Sequence, residues 1–122
     1  MAYGTLAIDT IQSSTTGTPT QFQDGSGTQI GTLARAWVQF AGASGTRNGY
    51  FNVSSVTRNS TGNYTVNFTN AMPNANYSAV AALDSGAVVR VPTYVTSSVT
   101  VLTYNTSFAS FDATTVSVAV FS

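Results

Sequence analysis

Eight charged side chains are present, and their types exclude more chemistry than they permit. They are Arg35, Arg47, Arg58 and Arg90 against Asp9, Asp24, Asp84 and Asp112, with no Lys, Glu, His or Cys. Fifteen Ser are available as nucleophiles, but a serine needs a neighbouring base, and the usual activators are missing. Zinc loses its thiolate and imidazole ligands for the same reason. Asp and Asn never take the spacing of an EF-hand, so neither metal nor cofactor is expected. The catalytic arrangement that remains is a carboxylate pair working on a glycosidic bond. Asp24-Gly25 and Asp84-Ser85-Gly86 read better as turns in which Asp bonds its own backbone. An Asp-dependent polysaccharide depolymerase is therefore the remote alternative, and the chain is expected not to be an enzyme.

Recognition is better provided for than turnover. Tyr50, Tyr94, Tyr104, Phe108 and Phe111 fall at expected strand ends or in loops, where aromatic faces stack on sugar rings and Asn and Ser add adaptable hydrogen bonds. The competing reading is that Phe108 and Phe111 close the end of a core, as Phe usually does. Six N-x-S/T triplets begin at Asn52, Asn59, Asn63, Asn67, Asn76 and Asn105. Nine Asn among thirty-five Ser and Thr produce such triplets by composition alone. Zero net charge and scattered Arg give no electrostatic footprint for nucleic acid or for an anionic membrane. No run of eighteen apolar residues is present, and MAYGTLAID lacks the basic and apolar regions of a signal peptide. The expectation is therefore no nucleic acid, no membrane insertion and no export signal.

The elements that must position these aromatics are strands. Fourteen Val and fifteen Ala stand against four Leu, three Ile and two Met, with seven Phe, six Tyr and one Trp, a set that suits a pleated surface. Tyr64, Val66 and Phe68 alternate with Thr65, Asn67 and Thr69 at the period of a half-buried strand. Val53 to Thr57 precedes them across Asn59-Ser60-Thr61-Gly62-Asn63, residues suited to a tight loop. Strands are expected at 33–40, 50–57, 63–69, 77–83, 88–94, 99–105 and 115–121, and their regular spacing predicts an antiparallel, jelly-roll-like β-sandwich. Pro92 puts its strand at an edge or at a bulge.

Residues 12–32 are polar and rich in Gly, Ser and Thr, too long for a structureless loop inside a domain. The chain is accordingly divided into an extended N-terminal arm, 1–32, with a short strand at Leu6 to Ile11, and a sandwich module, 33–122. Assembly is expected to use Leu6, Ile8 and Ile11 of the arm together with Arg35 and Trp37. Strand 33–40 is apolar on both faces, and without Lys the sheet edges lack the commonest device against edge pairing, so a homotrimer is predicted.

The words AWVxF, an Arg, FNVSSVT, TGxYTVNF and AMPxxxY between Ala36 and Tyr77 resemble a module that recurs in bacteriophage tail-fibre and related virion proteins. The resemblance implies a virion structural protein made in the host cytoplasm: a small tail-fibre or receptor-binding protein. It would be trimeric, joined to other virion proteins through the arm, and meet a host-surface glycan or outer-membrane component. A capsid decoration or head-fibre protein is the alternative, since a chain this short leaves little room for both an anchoring domain and a long shaft.

Overall fold

The computed structural model describes residues 4–12, 14, 20–85 and 87–122, all of them in strands, turns and extended segments. They divide into two compact units, one within residues 1–33 and one formed by Ala34–Ser122.

In the first unit β1 (Gln21–Gln23) pairs antiparallel with β2 (Gln29–Thr32). Asp24 makes the turn: its Oδ1 accepts from Ser26 N and Thr28 N, both at 2.9 Å, and Gly27 takes φ 83°. The stretch expected as an extended arm thus contains a hairpin, built on the turn expected at Asp24-Gly25, where one Asp accepts from two backbone N–H groups. The strand expected at Leu6 to Ile11 is absent. Residues 4–12 pair with no other strand, and Leu6, Ile8 and Ile11 are exposed. Alternation alone makes no strand where there is no ladder to join.

The second unit holds β3 (Ala36–Phe40), β4 (Arg47–Phe51), β5 (Val53–Ser60), β6 (Asn63–Phe68), β7 (Ser78–Leu83), β8 (Val88–Val95), β9 (Ser98–Tyr104) and β10 (Val116–Phe121). They form two antiparallel four-stranded sheets, in the orders β4-β3-β10-β7 and β5-β6-β9-β8. The chain changes sheet after β4, β6, β7 and β9, so the predicted all-β sandwich forms with β3, β10, β6 and β9 in its centre. Alternate residues of these central strands fill the space between the sheets. Ala36, Val38, Phe40, Val116, Val118 and Val120 face Tyr64, Val66, Val99 and Val101, each at most 3% exposed. Phe40 meets Tyr64 edge-on at 5.1 Å.

The run expected as one strand from Tyr50 to Thr57 is cut in two at Asn52. There φ reaches 54°, and the chain turns from the first sheet into the second. The side chain of Asn52 secures the corner, donating to Arg35 O at 3.0 Å and Asn70 O at 3.1 Å and accepting from Asn70 N at 2.7 Å. The β5–β6 loop shrinks to Thr61 and Gly62, the latter at φ 67°. Pro92 lies on edge strand β8 within an irregularity of register between Arg90 and Thr93, which removes the need for its missing donor.

Candidate functional site

The connection from β9 to β10 closes one end of the sandwich, and its footing is a polar network. Thr103, fully buried, donates from Oγ1 to Phe111 O at 2.6 Å, and its N–H bonds Gly62 O at 2.9 Å. Asp112 then accepts from Tyr64 OH at 2.7 Å, Gly62 N at 2.9 Å and Arg58 Nη2 at 2.6 Å, with Arg58 Nε 3.1 Å from both carboxylate oxygens. The Arg58 guanidinium, with these further donors, holds the Asp112 carboxyl well below the usual carboxylate range. Burial, and then the hydrogen bond to Asp112, pushes the Tyr64 phenol up to about 12. Gly62 is required here: a Cβ would lie 2.5 Å from Thr103 O and 2.9 Å from Phe111 N.

On this footing stands a loop organised by Asn105. Its Oδ1 accepts from Ser107 N at 2.9 Å and Ala109 N at 3.0 Å, its N–H donates to Ala109 O at 2.9 Å, and its carbonyl accepts from Phe108 N at 3.0 Å. Phe108 sits at the tip with φ 60° and 73% of its surface exposed. Tyr104, half-buried, ends β9 at the base of the loop and bridges to Ser110.

The two outer faces of the sandwich differ in chemistry. On β4-β3-β10-β7 the register aligns Phe51, Trp37, Ala119 and Val80 in one row and Gly49, Gln39, Ser117 and Ala82 in the next, with no charge in either. An open depression of about 390 Å³ lies along Trp37, Gln39, Val80 and Ala119. Gly49 leaves room for the indole, since a Cβ there would stand 3.3 Å from its ring. The outer face of β5-β6-β9-β8 is mostly small polar groups instead, with the exposed Arg90 in one row with Leu102 and Asn63. Asn67 Nδ2 donates to Ser55 Oγ and Thr57 Oγ1 at 3.0 and 3.2 Å, and Asn59 Nδ2 to Asn63 Oδ1 and Thr65 Oγ1 at 3.1 and 2.9 Å.

The five aromatics expected to form a recognition surface are not brought together. Tyr104 and Phe108 share the β9 end. Tyr50 is exposed on edge strand β4 with the Arg47 guanidinium 3.9 Å above its ring. Tyr94 is instead a core-margin residue, packed edge-on against Tyr77 at 5.2 Å, and Phe111 also packs against the core, because both lie on the inward side of the chain. Of the residues expected in assembly, Trp37 projects from the apolar outer face. Arg35 is half-buried, with Nη1 enclosed and without a hydrogen-bond partner among the described residues. Sequence reasoning missed the Arg58–Tyr64–Asp112 cluster, whose members stand 48 and 54 residues from Asp112 with no motif to link them. Among the described residues no three of His, Cys, Asp or Glu converge, and Asp112, held ionised, is unsuited to give a proton to a leaving group.

No protein-family model matches the chain, and no curated protein matches it. Among solved structures the phiAB6 tailspike is similar, a protein determined in complex with three-repeated oligosaccharides of Acinetobacter baumannii surface polysaccharide. The likeness covers 94% of this chain and 30% of the tailspike chain, with a TM-score of 0.53 and 16% identity. It is a likeness of fold, and the chain spans under a third of the tailspike's length.

Proposed function

We propose that the chain is a bacteriophage virion protein of the tail, a fibre or receptor-binding protein that attaches the particle to host-surface glycan by adhesion and not by turnover. The observation that carries this reading is the fold shared over 94% of the chain with part of a tailspike that was solved with surface oligosaccharide. The module words between Ala36 and Tyr77, resembling those of virion fibres, support it independently. So does a surface rich in Asn, Ser and Thr with an exposed aromatic loop, which suits a sugar.

In this reading three copies pack through the apolar outer face of β4-β3-β10-β7. Phe51, Trp37 and Val80 are 55%, 43% and 58% exposed there, an uncharged patch that water covers poorly. The unit within residues 1–33 joins other virion proteins, since a two-stranded hairpin of this size has too little core of its own to be stable alone.

Antibody labelling of intact particles, read by electron microscopy, tests the position, and adsorption of the purified protein to the bacterium that propagates the phage tests the role. Label on the tail and protein that blocks phage adsorption are expected. Label over the capsid, with no cell binding, would replace this reading by that of a decoration protein. Light scattering after size exclusion is expected to give three times the chain mass of 12.7 kDa. A monomer across micromolar dilution would refute the trimer.

A further inference from the structure

Five described residues have positive φ: Gly27, Gly45, Gly62, Asn52 and Phe108. Three are glycines, which adopt the left-handed region freely, and Asn52 is of a type whose short polar side chain eases entry to it, used where the chain must turn between sheets. Phe108 breaks the pattern. An aromatic residue has its Cβ against the carbonyl in this conformation, and Phe108 recovers nothing by burial, being 73% exposed. Gly or Asn would fold this turn at lower cost.

We propose that Phe108 is a preset recognition finger whose ring stacks on an uncharged sugar ring of the host-surface polysaccharide, an assignment that rests on the adhesive reading above. The ring is held ready, because Asn105 fixes both sides of the tip through four hydrogen bonds and little ordering remains to be done on contact. Its surroundings set the ligand class. Thr106, Ser107 and Ser110 flank it with hydroxyls, Tyr104 adds a phenol at the base, and the nearest charged group along the chain, Asp112, is committed to Arg58. A neutral ring with an apolar C–H face and equatorial hydroxyls finds both partners here, whereas a carboxylated or sulfated sugar finds no cation in the loop.

The test uses the full chain, with Phe108→Asn to relax the backbone and remove the ring, and Phe108→Tyr to keep the ring. The readouts are the thermal midpoint and binding to arrayed bacterial surface polysaccharides with neutral and with acidic repeats. Phe108→Asn should raise the midpoint by about 4 °C or more and lower binding to neutral polysaccharide by at least about tenfold, while Phe108→Tyr binds as wild type does. A midpoint unchanged or lowered in Phe108→Asn would remove the strain on which the argument stands. Undiminished binding by that variant overturns the finger and leaves the adhesive reading intact. Preference for acidic repeats, or cell binding with no polysaccharide bound, overturns the sugar assignment in favour of a charged glycan or a protein pocket. Failure of the wild type to bind either cells or polysaccharide removes the adhesive reading and this inference together.

Discussion

Replacing Asp112 by Ala tests how the loop end is held together. The carboxylate has two kinds of partner, and their energies differ. Arg58 reaches it from the surface, and an ion pair open to water contributes little because solvent screens it and two long side chains lose freedom. Tyr64 is fully buried, so its hydroxyl has no ready substitute for Asp112, and Gly62 N–H is enclosed by Thr103 and Phe111. Each such donor left unsatisfied costs about 1–3 kcal/mol, giving about 2–6 kcal/mol for the pair. For a module of this size that is a thermal midpoint lower by on the order of 10 °C or more. Arg58→Ala, which removes only the surface partner, should shift it far less. Urea denaturation of both variants followed by Trp37 fluorescence and circular dichroism gives the comparison. Equal losses in Asp112→Ala and Arg58→Ala would refute the reasoning and make the ion pair the main contributor.

Four further outcomes are expected. Because the folded Asp112 carboxyl is more acidic than its unfolded value of 3.8, its contribution is complete above that value and disappears as the pH falls below it. Acid unfolding should therefore flatten in Asp112→Asn, as measured by stability across pH 2–6. Tyr64 works in the opposite sense: raised from 10.0 to about 12, it keeps its proton longer when folded, so stability falls as the pH rises from 10 toward 12. Tyrosinate absorbance should show late-ionising phenols, Tyr64 with Tyr77, which burial also raises, and Tyr64→Phe should remove part of that late phase. Gly62→Ala, with its Cβ 2.5 Å from Thr103 O and its φ at 67°, should cost at least about 1–3 kcal/mol in chemical denaturation. Trp37→Arg should leave the melting of the isolated module near wild type while reducing the mass seen by light scattering, since it places a charge on the face assigned to assembly.

Alternation was enough to read the class and most strands of the second unit, though not β1, β2 or the break at Asn52, and at Leu6 to Ile11 it suggested a strand that has no ladder to join. Tyr64, Val66 and Phe68 declare an inward face over only six residues, and β-branched and aromatic residues in such runs have few other ways to bury themselves. Pro92 announced an edge or a bulge because a missing N–H is a local fact, and the loop at Gly62 was legible for the same reason. Four features were decided only in three dimensions. Asn52 lies inside an unbroken β-prone run, and it becomes a corner because Arg35 and Asn70, distant in sequence, offer backbone groups to its amide. Trp37 and Val38 are equally apolar, so which face of β3 turns inward depended on the opposing sheet, where Tyr64, Val66, Val99 and Val101 meet Ala36, Val38 and Phe40. Asp112 looked like one carboxylate among four, and Phe108 could be read either as a recognition residue or as a plug for the core. The first became an anchor and the second an exposed tip because the β9–β10 loop folds back on Gly62 and Thr103. Periodicity reports what a residue's immediate neighbours require, whereas hydrogen bonds across fifty residues exist only once the sheets have packed.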